Sequence, residues 1–174
     1  MKHAFLTTAT AALMALGSYA AAQDLKMSHV RPQDATIDVE LRAFSAAVDE
    51  ATGGDVKINI FPASALGDYT TVQERISVGA IDMATQPAAA AADRRMQISS
   101  FPYLAGNWDQ ARAAYGPGGI VRETVAGLYA EQDITMLAAY PVYFGGIALN
   151  VENANPGSTE PNGIKVRVPG IKSF

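Results

Sequence analysis

The chain has 174 residues, 49% of them hydrophobic and 17% charged, with a formal net charge of −4. That composition excludes an intrinsically disordered chain and a nucleic-acid-binding surface, which would need a basic excess. Cysteine is absent, so disulfides, thiolate nucleophiles and cysteine-ligated zinc are excluded as well.

The first element sets the compartment. Met1-Lys2-His3 is a short basic start, residues 4–19 are apolar and alanine-rich, and Ala20-Ala21-Ala22 fits a small-residue cleavage site before Gln23. A buried helix and an uncleaved anchor are the bland readings, but the run is short for a bilayer span and diluted by threonine and serine. Residues 1–22 are therefore expected to be a signal peptide cleaved near Ala22, which sends the protein to the periplasm.

Residues 25–30 alternate apolar and polar and predict a strand, ended by Pro32. Asp34 or Thr36 is the expected cap of a helix over 37–51, with Ile37, Leu41, Phe44, Ala47 and Val48 on its apolar stripe. Gly53-Gly54 stops it. Residues 56–61 predict a second strand, closed by Pro62. A loop then leads to Asp68, a good cap for a helix over 68–78 that turns Val72, Ile76 and Val78 inward. Gly79 ends that helix, and residues 80–85 predict a short strand.

Residues 88–92 read as a surface turn, and residues 100–104 as a proline-broken segment crossing near a cleft. Helices are expected over 107–115, capped by Asn107, and over 120–132, with Val121, Val125 and Leu128 inward. Further strands are expected over 134–139, 142–151 and 164–168. The order β-α-β-α-β calls for a mostly parallel α/β sheet with helices on both faces. The last strands need partners and covering helices that this sequence does not supply, so the chain is expected to be an N-terminal fragment.

Three stretches carry a resemblance. The first is Thr52-Gly53-Gly54-Asp55-Val56-Lys57-Ile58 with Phe61-Pro62-Ala63-Ser64-Ala65-Leu66-Gly67-Asp68. The second runs from Glu74 to Gly79-Ala80-Ile81-Asp82-Met83-Ala84. The third is Gly163-Ile164-Lys165-Val166-Arg167-Val168-Pro169. In this order they resemble the solute-binding proteins of tripartite ATP-independent periplasmic (TRAP) transporters, across the whole chain after residue 22 but about half of a typical member. The resemblance implies an α/β, periplasmic binding protein type II-like fold of two lobes with mostly parallel sheets, here with the C-terminal half missing. Residues 23–133 would form lobe I and residues 134–174 would begin lobe II. It also implies capture of a small organic acid and its delivery to inner-membrane TRAP permease subunits; no cofactor, metal-ligating residue or catalytic residue is expected.

Taken locally, the glycines of these motifs are helix stops and turns, and Lys165 with Arg167 is one polar face of an alternating strand. The resemblance places Arg167 in the cleft, paired with the ligand carboxylate, a task suited to a planar, permanently charged fork. Many family members carry a second arginine some twenty residues upstream, where this chain has Ile147. That departure favours a small or partly apolar monocarboxylate, held by Arg167 with Tyr143 and Phe144 beside it. The aromatic pair reads equally well as core packing.

Ligands of open α/β sheets bind beyond the carboxyl ends of the strands, which adds His29 and Gln86 as candidates. Gln86 falls where family members often carry a polar cleft residue, and His29 reads equally well as a satisfied strand-end side chain. Two other classes remain. One is the receptor of an ATP-driven or tripartite tricarboxylate transporter. The other is a periplasmic hydrolase or lyase, against which stand the absence of a Gly-x-Ser-x-Gly elbow and of a His-Glu-x-x-His site.

Overall fold

The computed structural model describes residues 22–142, 144–146, 148–152, 157–158 and 163–165. Three parallel strands form its sheet: β1 (Gln23–His29), β2 (Val56–Phe61) and β3 (Met83–Thr85), in the order β2-β1-β3. The helices are α1 (Thr36–Ala51), α2 (Tyr69–Ser77), α3 (Trp108–Tyr115) and α4 (Ile120–Ala130), with a 3-10 helix over Arg94–Ser100. Parallel pairing needs crossovers: α1 carries the chain from β1 to β2, and α2 carries it from β2 past β1 to β3. The register sets Met27 beside both Ile60 and Met83, and His29 beside Thr85.

Two apolar clusters hold the described residues together. Met27, Leu41 and Ile58 are buried between sheet and α1, with Leu25, Ile37, Val48, Ile60 and Met83 around them. Met96, Val121, Val125 and Leu128 form the other, where α4 packs on the 3-10 helix. Val121, Val125 and Leu128 recur at the i, i+4, i+7 spacing that builds one helical stripe, and each is buried as expected.

On α1 the buried stripe is rotated from the expected one. Phe44 is exposed, as is Ala47, while Asp38 is buried and Ser45 is half-buried. Polar contacts cause the rotation. Asp38 meets His29 of β1, and the Ser45 hydroxyl donates to the Ile58 carbonyl at 2.8 Å. At about 100° per residue, Asp38, Leu41, Ser45 and Val48 then share one face. The cap differs as well. Asp34 has φ +64°, Ala35 stands at the N-cap without a side-chain bond, and Asp38 reaches back to accept from the Asp34 amide at 2.9 Å.

The cap of α2 is as expected, with Asp68 accepting from the Thr71 amide at 2.9 Å. Val78, expected inward, is exposed, and Gln73 is buried in its place. The third strand is shorter than expected because the amides of Ala80 and Ile81 both turn back to the Arg75 carbonyl and close α2. Residues 88–92 do form a turn, yet Ala89 and Ala90 are buried rather than on the surface.

Residues 101–104 form an exposed turn in which Tyr103 has φ +63°. Residues 134–142 are in neither helix nor strand, and the same holds for the described residues of 144–152 and for 164–165. A strand exists through its pairing. Alternating apolar residues give these segments a face, but no described strand lies alongside them. Residues 166–168 of the last expected strand lie outside the described residues.

Candidate functional site

Parallel strands all point one way, so the carboxyl ends of β1, β2 and β3 lie along one rim of the sheet. The loops that leave this rim are fastened to one another. Ser64 donates its amide to the His29 carbonyl at 3.1 Å, and Ala63 donates to the Arg31 carbonyl at 2.8 Å. Gln86, just past β3, donates its side-chain amide to the Tyr69 carbonyl at the start of α2, at 2.8 Å. Asp34 (+64°), Ala63 (+54°) and Ser64 (+59°) all hold left-handed φ values on these loops. Such backbone is costly for residues with a Cβ, and it persists where surrounding bonds fix it.

Behind the rim lies a buried polar network. His29 Nε2 lies 2.9 Å from Asp38 Oδ1, and both side chains are fully buried. The Arg31 amide donates to His29 Nδ1 at 3.3 Å. Nδ1 therefore accepts, and the network assigns the ring proton to Nε2, which donates to Asp38. The second Asp38 oxygen accepts from the Asp34 amide and from Arg42 Nε at 3.0 Å. The Arg42 hydrogen bond, then the Asp34 amide, holds the Asp38 carboxyl well below the usual carboxylate range, against the opposing effect of burial. This network fixes residues 30–35 where they leave β1.

The sequence candidates fall in different places. His29 and Gln86 come to neighbouring strand ends. His29 is enclosed, and both ring nitrogens are engaged within the chain. Gln86 is half-buried, and its Oε1 is buried with no hydrogen-bond partner among the described residues. Phe144 stands edge-on to Trp108 at the start of α3, centroids 4.9 Å apart and planes at 68°, a favoured aromatic geometry. Tyr143 and Arg167 lie outside the described residues.

Sequence reasoning missed Asp38 and Gln73. The signal was present in both cases, as a polar residue on the apolar stripe of an amphipathic helix. A groove also runs beside β2, lined by Arg42, Ser45, Asp49, Lys57, Asn59 and Phe61. It reaches the rim only at Phe61. Among the described residues there is no group of three or more His, Asp or Glu side chains fit to hold a metal ion, and no helix long and apolar enough to cross a membrane.

The described residues thus form an α/β unit, a three-stranded parallel sheet with crossover helices and a cross-fastened rim at its carboxyl end. The profile of the family described as bacterial extracellular solute-binding protein, family 7 (DctP) matches residues 27–169, and the chain belongs to that family of TRAP solute-binding proteins.

Solved structures agree in fold. A TRAP periplasmic solute-binding protein of Desulfovibrio desulfuricans with bound sn-glycerol-3-phosphate is 23% identical, with a TM-score of 0.60 over 68% of this chain and 38% of its own. One from Citrobacter koseri with bound D-glucuronate is 22% identical, with a TM-score of 0.57 over 67% of this chain and 40% of its own. An extracytoplasmic solute receptor of Bordetella pertussis binding pyroglutamic acid is 21% identical, with a TM-score of 0.58 over 67% and 38%. The chain thus spans about two-fifths of the length of these structures. The family and these relatives are solute-binding proteins.

Proposed function

We propose that this chain is the first-lobe portion of a periplasmic receptor that captures a small organic acid and hands it to a TRAP-type membrane permease. The family match over residues 27–169 carries the reading. The ligands of the three relatives support its chemistry, since each is a small organic anion. In this proposal residues 1–22 are a cleaved signal peptide, residues 23–133 form lobe I and residues 134–174 open lobe II.

Arg167 takes the solute carboxylate through two parallel charge-assisted hydrogen bonds. Gln86 is the polar side chain at the rim beside the solute, and Tyr143 and Phe144 offer apolar surface. We place His29 behind the rim as a positioning group, because its ring is enclosed and both nitrogens are engaged. Ile147, where a second arginine would stand, favours a single carboxylate.

A thermal-shift screen of the full-length protein against mono- and dicarboxylates tests the reading. A solute bound by the folded state alone must raise the melting temperature. The expected outcome is a rise with a monocarboxylate that Arg167→Ala removes. Chemical turnover of any of these acids would contradict the receptor reading in favour of a hydrolase or lyase.

A further inference from the structure

Gln73 is a polar side chain in the middle of α2, yet it is only 1% exposed. Its oxygen and its nitrogen are both engaged, and they lead to different parts of the chain. The Ala89 amide donates to Gln73 Oε1 at 2.9 Å. Gln73 Nε2 donates to Gln132 Oε1 at 2.8 Å. Gln132 Nε2 in turn donates to the Leu128 carbonyl in the last turn of α4, at 3.1 Å. The three bonds run in one direction and assign both amide orientations without conflict.

The ends of this relay are telling. Ala89 is itself fully buried and follows Gln86 on the loop that leaves β3. Gln132 is the point where the chain finishes α4 and turns into the irregular segment 134–142. An apolar residue at position 73 would fill the space without fixing either end. Burying an amide here is unfavourable unless every polar atom finds a partner, and this one does.

We propose that Gln73 is a positioning residue that locks the rim after β3 to the exit of α4. Movement of the rim on meeting a solute is thereby passed to the segment that leads toward residues 134–174. Its functional meaning rests on reading the strand ends as the solute cleft.

Amide hydrogen exchange of the solute-free protein tests the relay directly. Gln132 is half-buried, so Gln132→Ala leaves the core intact while removing the acceptor for Gln73. The expected result is exchange about tenfold faster at the Ala89 amide, 43 residues away in sequence, with a smaller rise in β1 that follows the lower melting temperature of a protein whose buried Gln73 amide has lost its acceptor. Gln132→Glu keeps an acceptor oxygen for Gln73 Nε2 and is expected to restore Ala89 protection. Gln73→Leu frees the Ala89 amide outright and serves as the upper limit.

Unchanged exchange at Ala89 in Gln132→Ala would overturn the relay. Equal acceleration in the alanine and glutamate variants, or a rise in β1 as large as that at Ala89, would overturn it too. No solute enters this measurement. A protein that binds no organic acid would defeat the receptor reading and leave the relay result standing.

Discussion

His29 Nε2 donates to Asp38 Oδ1 across 2.9 Å, between the last residue of β1 and the first turn of α1, and neither side chain is exposed to solvent. The bond ties the carboxyl end of the central strand to the helix that follows it. Through Arg31 and Asp34 it also sets the path of the loop between them. Removing one side leaves the other buried without its partner. His29→Leu is expected to lower stability by about 1–3 kcal/mol, the usual cost of an orphaned buried polar group. Denaturant unfolding with an unchanged slope measures it. A His29→Leu variant as stable as the parent would show that the network contributes nothing.

Asp38 also sets the acid limb of stability. Its carboxyl is held below the ordinary range by Arg42, the Asp34 amide and His29. A depressed folded value contributes stability that is fully present above the unfolded value of about 3.9 and is lost as pH falls toward the folded one. Asp38→Asn is therefore expected to be less stable than the parent at pH 7, with the gap narrowing as pH drops below about 4. Urea midpoints at pH 7, 4.5 and 3 report it. A constant gap across that series would mean that Asp38 acts through packing alone.

The α2 cap predicts a smaller effect. Asp68 accepts from the Thr71 amide at 2.9 Å and leads into the helix whose start anchors Gln86. Asp68→Ala is expected to cost about 1 kcal/mol, and Asp68→Ser to recover most of it. Equal losses for alanine and serine would show that the carboxylate charge beside the helix N-terminus matters more than the capping bond.

These networks also mark how far the sequence could be read. Periodicity located β1, β2 and all four helices because each has enough turns or alternations to define a face. It misplaced Phe44 and Val78 because it ranks residues by hydrophobicity. The faces of α1 and α2 were set by Asp38, Ser45 and Gln73, whose partners lie on other elements. Residues 134–142 mislead for a related reason, since alternation cannot report whether a neighbouring strand exists. The strand-end rule brought His29 and Gln86 to adjacent strand ends, but spacing could not show that the His29 ring is closed off by Asp38 and Arg31.

Arg167 offers a sharper test than its removal. In the receptor reading, its fork supplies two parallel bonds to one carboxylate. Arg167→Lys keeps the charge and loses that geometry, so solute affinity is expected to fall by about tenfold or more, near 1.4 kcal/mol. Calorimetric titration with whichever monocarboxylate gives the largest thermal shift provides the measurement. Full retention of affinity in the lysine variant would assign the residue a general electrostatic role.

Trp108 makes solute engagement visible without a label. It is the chain's single tryptophan, it is partly exposed, and its ring meets the edge of Phe144 at 4.9 Å. Phe144 is also one of the proposed apolar contacts for the solute. Phe144→Ala removes an aromatic pair worth about 0.5–1.5 kcal/mol beyond its buried area and lets water onto the indole, so emission is expected to move to longer wavelength. If Phe144 shifts on solute capture, the parent's emission will change with saturating dependence on solute, and that of Phe144→Ala will not. An identical solute response in both proteins would place Phe144 outside the solute contact and leave the pair as packing between α3 and the segment that follows α4.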